Sequence, residues 1–453
     1  MPLPPLIEVE PFSEEQLASF KEKKARVTIP GSKSITNRAI VLAAMGDGVV
    51  TLKGALWSED TEAMCDCMTK LGIEVKVTPD PEVESNRLIE VRGCGGKIPN
   101  AGTAEAPLEL FVANAGTAAR FLSAMVCLGN GVFRLSGVPR MHERPQAELL
   151  RALRTLGYQI DSPNDKLPAV FHGKGPQPGA VTVSVEESSQ FASALLLSSR
   201  VGGWQVSTPE GANPDELPYV EMTRRLLEVF PTAGGTFQVE PDASSASYFH
   251  AVNSMFPDVA PVEVLACQPP KRAGGSGWQI DADFPEHAPV RAKPAREAPV
   301  SRKTDLGDSI MTAIAIAPLA STATTFVELG VLRRQECERV EALRTELTKC
   351  KAKVTETGDT LVIEPSDPAS LGDASIATYH DHRMAMSLAT LALAVKGVKI
   401  EDPSCVRKTV PSFFQTLAAA PPQGLGVKIW EVDPSTGARS RQLVEPADLF
   451  AAK

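Results

Sequence analysis

The stretch PGSKSITNRA at residues 30–39 places a glycine and several polar residues directly ahead of an apolar helical segment. Five later stretches repeat this arrangement: NAGTAARFLSAMVCLG from Asn114, SSQFASALLLSS from Ser188, DASSASYFHAV from Asp242, DSIMTAIAIAPLA from Asp308 and DHRMAMSLATLALAVKG from Asp381. A polar residue ahead of such a helix predicts an N-cap. Free N–H groups and the helix dipole attract anions to this end. The sequence therefore predicts six helix N-termini suited to anions.

Amphipathic helices recur between these stretches, each with apolar residues at helical spacing that predict a buried face. Their predicted core positions are Met64, Met68 and Leu71; Leu149, Leu153 and Leu156; Met222, Leu226 and Val229; and Val340, Leu343 and Leu347. Alternation of helices with short β-branched segments is typical of α/β proteins. We interpret the chain as six β-α-β-α-β-β blocks. The block after Asp242 contains a Gly- and Pro-rich segment, 274–299, with no predicted second helix.

Composition limits the class of protein. A chain of 453 residues with 43% hydrophobic and 22% charged residues is typical of a globular protein with two or three domains. The net charge of −9 argues against nucleic acid as a partner. No apolar run is long enough for a membrane span, and the acidic N-terminus lacks a signal core, so we expect a cytoplasmic protein. The eight scattered cysteines match neither a zinc nor a redox motif.

Basic residues are concentrated near the predicted helix starts, where they could hold anionic ligands within an acidic protein. They are Lys33, Arg38, Arg120, Arg140, Arg144, Arg333, Arg334, Arg339, Arg383 and Lys408. The ordinary alternative for each is a solvated surface charge. That alternative is weaker for Lys33, which lies between two serines beside a glycine, and for Arg383, which an apolar helix follows at once.

The strings PGSKSITNRA, NAGTAAR, RMHERP, SSQF, DASSASY and DHRMAM, in this order, resemble the EPSP synthase (3-phosphoshikimate 1-carboxyvinyltransferase) family. The resemblance implies an α/β fold of two similar domains, each with three β-α-β-α-β-β units around buried helices, an inverse α/β barrel. It implies a central domain at 29–240 that holds shikimate 3-phosphate. The second domain, 241–453 plus 1–28, would carry the catalytic carboxylates and the phosphoenolpyruvate clamp.

The implied reaction transfers the enolpyruvyl group of phosphoenolpyruvate to the 5-hydroxyl of shikimate 3-phosphate and releases phosphate. It requires no metal and no cofactor, and we expect a monomer that binds these two small molecules and neither nucleic acid nor membrane. By resemblance, the catalytic residues are Lys33, Asp308, Glu336 and His382. The implied substrate-binding residues are Lys33, Ser34, Arg38, Asn114, Gly116, Thr117, Arg144, Ser188, Ser189, Gln190, Asp308, Gln335, Arg339, Arg383 and Lys408.

Several alternatives stay open on sequence alone. Asp308 could be a plain helix N-cap, and Glu336 an exposed i,i+3 partner of Arg333 or Arg339. Either Glu336 or Lys33 could protonate the methylene carbon. The acceptor could also be a different hydroxyl compound, or the protein could be a non-catalytic binding protein on the same fold.

Four positions depart from the family pattern, three of them in the part expected to hold the acceptor. Gln335 replaces a lysine, Val331 an asparagine and Glu216 a serine, while Phe121 replaces a common proline. Arg334 is our candidate for the cation that Gln335 lacks.

Overall fold

The computed structural model describes residues 3–209, 217–290 and 298–451. Its strands are β1 Leu6–Val9, β2 Ala25–Thr28, β3 Val49–Leu56, β4 Val75–Pro79, β5 Asn86–Arg92, β6 Leu108–Phe111, β7 Asn130–Ser136, β8 Gln159–Asp161, β9 Ala169–Lys174, β10 Gly179–Thr182, β11 Trp204–Ser207, β12 Gly235–Gln238, β13 Val262–Leu265, β14 Val300–Ser301, β15 Thr324–Val327, β16 Val354–Thr357, β17 Thr360–Ile363, β18 Ala374–Ile376, β19 Val398–Glu401, β20 Ile429–Val432 and β21 Arg439–Leu443.

The α-helices are α1 Glu14–Ser19, α2 Lys33–Met45, α3 Glu59–Lys70, α4 Gly116–Val126, α5 Pro139–Glu143, α6 Ala147–Thr155, α7 Gln190–Gly202, α8 Leu217–Val229, α9 Ala243–Met255, α10 Phe284–His287, α11 Ile310–Ile316, α12 Arg339–Lys349, α13 His382–Ala392, α14 Phe413–Ala418 and α15 Pro446–Leu449. Short 3-10 turns include Ile280–Asp283, Gly330–Arg334 and Pro403–Lys408.

The chain forms two compact units. The continuous unit is Pro30–Glu240, and the discontinuous unit combines Met1–Ile29 with Pro241–Lys453. In both, helices alternate with small mixed sheets, so the protein is an α/β protein as predicted. The sheets are separate, and no closed barrel forms among the described residues.

In the continuous unit, each sheet is built on a pair of parallel strands. The sheet orders are β12-β3-β5-β4, β6-β7-β9-β8 and β10-β11. The pairs β12–β3, β6–β7 and β10–β11 are parallel, and the other strands are added antiparallel. The block around Ser188 therefore contributes only a two-stranded sheet among the described residues, because its strand β12 completes the sheet of the first block.

The discontinuous unit repeats this plan with sheet orders β13-β2, β14-β15-β17-β16 and β18-β19-β1-β20-β21. The last sheet takes strands from both ends of the chain, since β1 lies antiparallel between β19 and β20. In the Gly- and Pro-rich block after Asp242, the 3-10 turn Ile280–Asp283 and the four-residue α10 occupy the place of a second helix.

Helices made of small and apolar residues form the interior of each unit. In the continuous unit, α4 is buried along its whole length and α2 from Ile35 onward, and α7 packs with them. In the discontinuous unit, α11 and α13 are buried throughout, and α9 packs with both. Small side chains allow such helices to approach closely on several sides.

The amphipathic helices α3, α6, α8 and α12 cover the outside of this interior. Eleven of the twelve predicted core positions are buried, but Val229 is 56% exposed and that prediction is wrong. Val229 is the last residue of α8, and the next residue, Phe230, packs inward instead against Phe237.

The predicted N-caps are correct at two of the six helices. Asp242 accepts a hydrogen bond from the Ser245 N–H, and Asp381 accepts one from the Arg383 N–H. Ser32 occupies the cap position of α2 and Ser189, one residue after the predicted Ser188, that of α7, but neither makes a side-chain cap bond. The helices after Asn114 and Asp308 begin one residue later than predicted, with Ala115 and Ser309 at the cap. Asp308 is therefore not an N-cap.

Candidate active site

In the discontinuous unit, the carboxylate of Asp308 lies among three arginines. Its Oδ1 is 3.2 Å from Arg302 Nη2, and its Oδ2 is 3.2 Å from Arg383 Nε and 3.7 Å from Arg339 Nη1. Burial alone would raise the pKa of Asp308, but the positive charges of Arg383, Arg339 and Arg302 outweigh it and hold that pKa well below its usual range. Asp308 is thus an ionised carboxylate able to accept a proton.

Glu336 lies in the loop between the 3-10 turn Gly330–Arg334 and α12. Its Oε1 is 3.0 Å from Lys408 Nζ, and its Oε2 is 2.9 Å from Arg339 Nη2. The i,i+3 pair with Arg339 is therefore present, but the Glu336 side chain is only 14% exposed. The alternative of an exposed surface pair is wrong.

Arg339 connects the two carboxylates to the start of α13. Its side chain is 1% exposed, and its Nε and Nη2 donate to the two oxygens of Asp381 at 2.7 and 3.2 Å. The planar guanidinium suits such bidentate pairing. Asp381 also caps α13, where His382 is buried with its Nδ1 3.6 Å from Asp381 Oδ1.

A strained turn carries Asp381 into this cluster. Tyr379 and His380 both have φ of 55°, which is uncommon for residues other than glycine. The Tyr379 hydroxyl donates to buried Glu346 Oε1 at 2.7 Å, and His380 Nδ1 lies 2.6 Å from Asp402 Oδ2. These contacts hold the turn in its left-handed conformation.

Gln335 is uncharged, and its side-chain amide bridges Asp308 and Arg339. Its Nε2 donates to Asp308 Oδ1 at 3.3 Å, and its Oε1 accepts a hydrogen bond from Arg339 Nη1. Arg334 is exposed and Val331 is half-buried. Glu216 lies outside the described residues.

In the continuous unit, α2 carries Lys33, Ser34 and Arg38. Lys33 Nζ is 3.2 Å from Asp60 Oδ2, on α3. Arg38 is buried and donates to neutral oxygens: Nε to Thr223 Oγ1 at 2.7 Å, Nη1 to the Ser34 carbonyl at 2.9 Å, and Nη2 to Ser193 Oγ at 3.0 Å.

The buried Arg38 has no ion-pair partner among residues 3–209, 217–290 and 298–451. Burial lowers its pKa to about 10, against an opposing effect of Tyr219, so it stays charged at neutral pH. Phe121, in place of the usual proline, is buried with its ring centroid 5.3 Å from Arg38 Cζ. A buried cation without a counter-ion favours an anionic ligand.

The start of α4 brings together a second group of predicted site residues. Arg144 Nη1 donates to the Asn114 carbonyl at 3.0 Å, and Arg120 Nη2 donates to the Pro145 carbonyl at 2.6 Å. A Cβ at Gly116 would lie 2.5 Å from Arg120 Nη1 and 2.7 Å from Arg144 Nη2, so both guanidinium groups pack against this glycine. Thr117 follows it, buried, in the first turn.

Ser188, Ser189 and Gln190 form the start of α7. The Gln190 N–H donates to Ser188 Oγ at 3.2 Å, and Ser189 is buried. Gln190 Oε1 is buried and accepts no hydrogen bond from the part of the chain that the structure describes. One turn further along α7, Ser193 contacts Arg38.

Sequence reasoning missed two charged members of these clusters. Arg302 lies six residues before Asp308, and Asp60 lies in the acidic first turn of α3. The Arg302-Lys303 pair and the SED run at 58–60 were visible signals, but each matches an ordinary surface charge. Among the described residues, no group of three His, Cys, Asp or Glu side chains is arranged to hold a metal.

The model of the EPSP synthase (3-phosphoshikimate 1-carboxyvinyltransferase) family matches residues 18–233 and 231–417. The chain therefore belongs to the EPSP synthase family. The 3-phosphoshikimate 1-carboxyvinyltransferase of Nostoc punctiforme is 36% identical over 417 residues, which cover 86% of this chain and 95% of that protein. The enzyme of the same name from Opitutus terrae is 36% identical over 448 residues, or 92% and 98% of the two chains.

Solved structures share the fold. An EPSP synthase from Acinetobacter baumannii superposes with a TM-score of 0.70 at 19% identity, covering 94% of this chain and all of that chain. The enolpyruvyl transferase NikO from Streptomyces tendae has a TM-score of 0.64 at 14% identity, covering 94% and 99%. Within the described ranges, no helix has both the length and the apolar character of a membrane span.

Proposed function

We propose that this protein transfers the enolpyruvyl group of phosphoenolpyruvate to the 5-hydroxyl of shikimate 3-phosphate, with release of phosphate. The observation that carries the proposal is that an ionised Asp308 and Glu336 both contact Arg339 within one cluster of arginines and a lysine. The relatives at 36% identity, named for this reaction, support it.

Asp308 is our candidate for the base. The acceptor hydroxyl gives its proton to a carboxylate as its oxygen forms a bond to C2 of phosphoenolpyruvate. Asp308 is suited to this because the neighbouring arginines keep its carboxylate ionised. They also lower its basicity, so we expect it to act on a hydroxyl whose proton becomes acidic only as the C–O bond forms.

Glu336 and Lys33 are the candidates for the acid. As the C–O bond forms, the methylene carbon C3 takes up a proton, giving a tetrahedral intermediate with a methyl group. Loss of that proton from the methyl group, together with cleavage of the bond from C2 to the phosphate oxygen, forms the product and releases phosphate. Lys408 holds Glu336 at 3.0 Å and could exchange the proton with it.

The cations are the candidates for holding the substrate anions. In the discontinuous unit these are Arg339, Arg383 and Lys408, and in the continuous unit Arg144 and Lys33. Arg383 contacts the carboxylate of Asp308, and Arg339 contacts that of Asp381. Both guanidinium groups therefore already bind oxyanions in this geometry. His382 would support them from its buried position beside Asp381.

We propose that the continuous unit carries the shikimate 3-phosphate half-site and the discontinuous unit the carboxylates with most of the phosphoenolpyruvate clamp. Arg38 and Ser34 would contact the cyclohexene part of the acceptor. Ser188 and Ser189 would bind its phosphate, and Gln190 would lie beside the ring. The buried Gln190 Oε1 accepts no hydrogen bond from the described residues, so a ring hydroxyl can donate to it. Arg38 lacks a counter-ion there, which suits an acceptor that is itself an anion.

The test is phosphate release from phosphoenolpyruvate, measured with and without shikimate 3-phosphate. We expect release that requires shikimate 3-phosphate and that equals the amount of enolpyruvyl product. Release without product would contradict the proposal. Release with another hydroxyl compound, such as a nucleotide sugar, but not with shikimate 3-phosphate would favour the alternative of a different acceptor. No release with any acceptor would favour a binding protein.

Arg334 stays our candidate for the cation that Gln335 does not supply. Its side chain is exposed and therefore accessible to a ligand. Arg334→Ala should raise the KM for shikimate 3-phosphate about 30-fold, equivalent to ~2 kcal/mol, and leave the KM for phosphoenolpyruvate unchanged. A silent Arg334→Ala together with a large gain from Gln335→Lys would show that Arg334 has no such role.

We further infer that the protein acts as a cytoplasmic monomer on free small molecules, with no metal or other cofactor. Sedimentation of the purified protein with and without both substrates would test the monomer, and full activity after exhaustive chelation would test the independence from metal.

A further inference from the structure

Asp281 is a buried carboxylate in the Gly- and Pro-rich segment that sequence patterns do not explain. It lies in the 3-10 turn Ile280–Asp283 and is 4% exposed. Its Oδ1 accepts hydrogen bonds from the Gly307 N–H at 2.7 Å, the Ser309 N–H at 3.1 Å and the Ser309 hydroxyl at 2.5 Å. Its Oδ2 accepts one from the Ser244 hydroxyl.

These contacts lie on both sides of Asp308. Gly307 and Ser309 are its immediate neighbours, so a single carboxylate oxygen holds the backbone before and after the candidate base. The Asp308 side chain is engaged separately by Arg302, Arg383 and Arg339. The backbone and the side chain of Asp308 are thus fixed by different groups.

A neighbouring residue anchors the same turn elsewhere. The Gln279 amide donates to the Pro241 carbonyl at 2.8 Å and accepts from the Ala243 N–H at 3.0 Å, at the start of α9. Gln279 therefore attaches the segment to the start of α9, whereas Asp281 contacts both Ser244 on α9 and the loop that carries Asp308. Loss of Gln279 and loss of Asp281 should have different consequences.

We propose that Asp281 is a positioning residue for Asp308, holding the backbone at 307–309 so that the Asp308 carboxylate stays aligned with its arginines and with the acceptor hydroxyl. A displacement of a catalytic group by about 1 Å can cost about 100-fold in rate. The kinetic consequence rests on the proposed function, but the restraint on the loop does not.

The hydrogen-bond geometry predicts which substitution of Asp281 keeps activity and which one loses it. Asp281→Asn keeps an Oδ1 that accepts the same three donors, and its amide N–H can donate to Ser244 Oγ. Asp281→Ala leaves two buried N–H groups and two hydroxyls without their acceptor. Asp283, in the same turn, accepts a hydrogen bond from the Lys271 N–H at 2.9 Å and offers a matched control.

The experiment compares Asp281→Ala, Asp281→Asn and Asp283→Ala in steady-state turnover with phosphoenolpyruvate and shikimate 3-phosphate. We expect Asp281→Ala to lower kcat about 100-fold with both KM values within about threefold of wild type. Asp281→Asn should stay within about fivefold of the wild-type kcat, and Asp283→Ala should match wild type. Amide hydrogen exchange in the free protein should be faster at residues 307–309 in Asp281→Ala alone.

Three results would overturn the proposal. One is Asp281→Ala with kcat within threefold of wild type, and another is a loss shared equally by Asp281→Ala and Asp281→Asn. The third is unchanged exchange at 307–309. If Asp281→Ala does not fold, Ser309→Ala removes only the hydroxyl donor and should lower kcat about threefold to tenfold. If wild type does not turn over these substrates, the proposed function fails, while the exchange result still decides the restraint.

Discussion

At the scale of single residues, charge balance determines how Asp308 behaves. Three arginines within 4 Å keep its pKa low even though burial acts in the opposite direction. The neighbouring carboxylates of Glu336 and Asp381 are paired with Arg339, so the cluster holds its anions and cations in near balance. Removing one carboxylate therefore changes the chemistry without removing a cation that could bind substrate.

Asp308→Asn should lower kcat by about 10²- to 10⁴-fold, because an amide cannot take the acceptor proton. The KM for phosphoenolpyruvate should not rise, since the variant cluster gains one positive charge against an anionic substrate. Steady-state kinetics on both substrates measures this. Asp305→Asn is the matched control, because it neutralises a carboxylate three residues away in the same loop, where Asp305 accepts from the Ser301 N–H. A raised KM with unchanged kcat would make Asp308 a binding residue.

His250, on α9, should make stability depend on pH in mildly acidic solution. Burial lowers its pKa to about 4, from about 6.5 in an unfolded chain. Between these values only the unfolded chain binds the proton, so the free energy of unfolding falls as the pH falls from about 6.5 to about 4. His250→Gln should remove a loss on the order of 2 kcal/mol over this range. Denaturation curves at pH 7 and pH 4.5 measure this loss for both proteins. If the variant and wild type lost the same free energy of unfolding between these pH values, the prediction would be wrong.

At the scale of elements, the start of α4 combines a helix end with two guanidinium groups. Gly116→Ala would place a methyl group 2.5 Å from Arg120 Nη1 and 2.7 Å from Arg144 Nη2, so both side chains must move. If Arg144 holds phosphoenolpyruvate, the KM for phosphoenolpyruvate should rise about 5- to 30-fold, or ~1–2 kcal/mol. The KM for shikimate 3-phosphate should rise less. Gly179→Ala is the control, because its nearest contact, Leu156 Cδ2, is 3.3 Å away. An unchanged KM would separate Arg144 from this substrate.

Sequence predicted elements well where the signal is local. Every core position predicted from the apolar spacing of α3, α6 and α12 is buried, because a helix with one solvent-exposed face repeats its pattern every turn. It failed at Val229, because the buried face continues from Leu226 to Phe230, four residues on, and leaves Val229 exposed. The caps at Asn114 and Asp308 failed because their side chains sit one residue too early, and Asp308 binds distant arginines instead.

Contacts between distant segments could not be predicted from the pattern. Nothing local indicates that β12 pairs with β3, or that Asp281 reaches residues 307 and 309. Arg302 and Asp60 carry ordinary surface residue types, and only folding brings them against Asp308 and Lys33. The strings shared with the family found the predicted site residues, whereas the residues that hold them in place depend on the whole fold.

At the scale of the whole molecule, segments from both ends of the chain complete one sheet of the discontinuous unit. Leu443 is 1% exposed and pairs with Ile429 on β20, which pairs with β1 in turn. Leu443→Ala should lower the free energy of unfolding of this unit by about 2–5 kcal/mol, because it leaves a cavity in the core. Urea denaturation, monitored by amide hydrogen exchange in β19–β21, measures this loss of unfolding free energy.

The next residue provides a matched control. Val444 is 65% exposed, so Val444→Ala should change stability by no more than about 0.5 kcal/mol. Exchange in the sheets of the continuous unit should stay the same in both variants. Equal effects of the two substitutions would mean that the C-terminal strand does not stabilise the sheet.

The position of β1 in the sheet also affects how the chain folds during its synthesis on the ribosome. Ile7 pairs with Ile400 and Glu431, so its partners are synthesised roughly 390 to 420 residues later, a delay of about 20–85 s at ~5–20 residues per second. During that time the continuous unit can emerge and fold, while an apolar strand waits unpaired. Pro4 and Pro5 precede this strand, and Glu8 and Glu10 place negative charge at its end, which discourages pairing with other nascent chains.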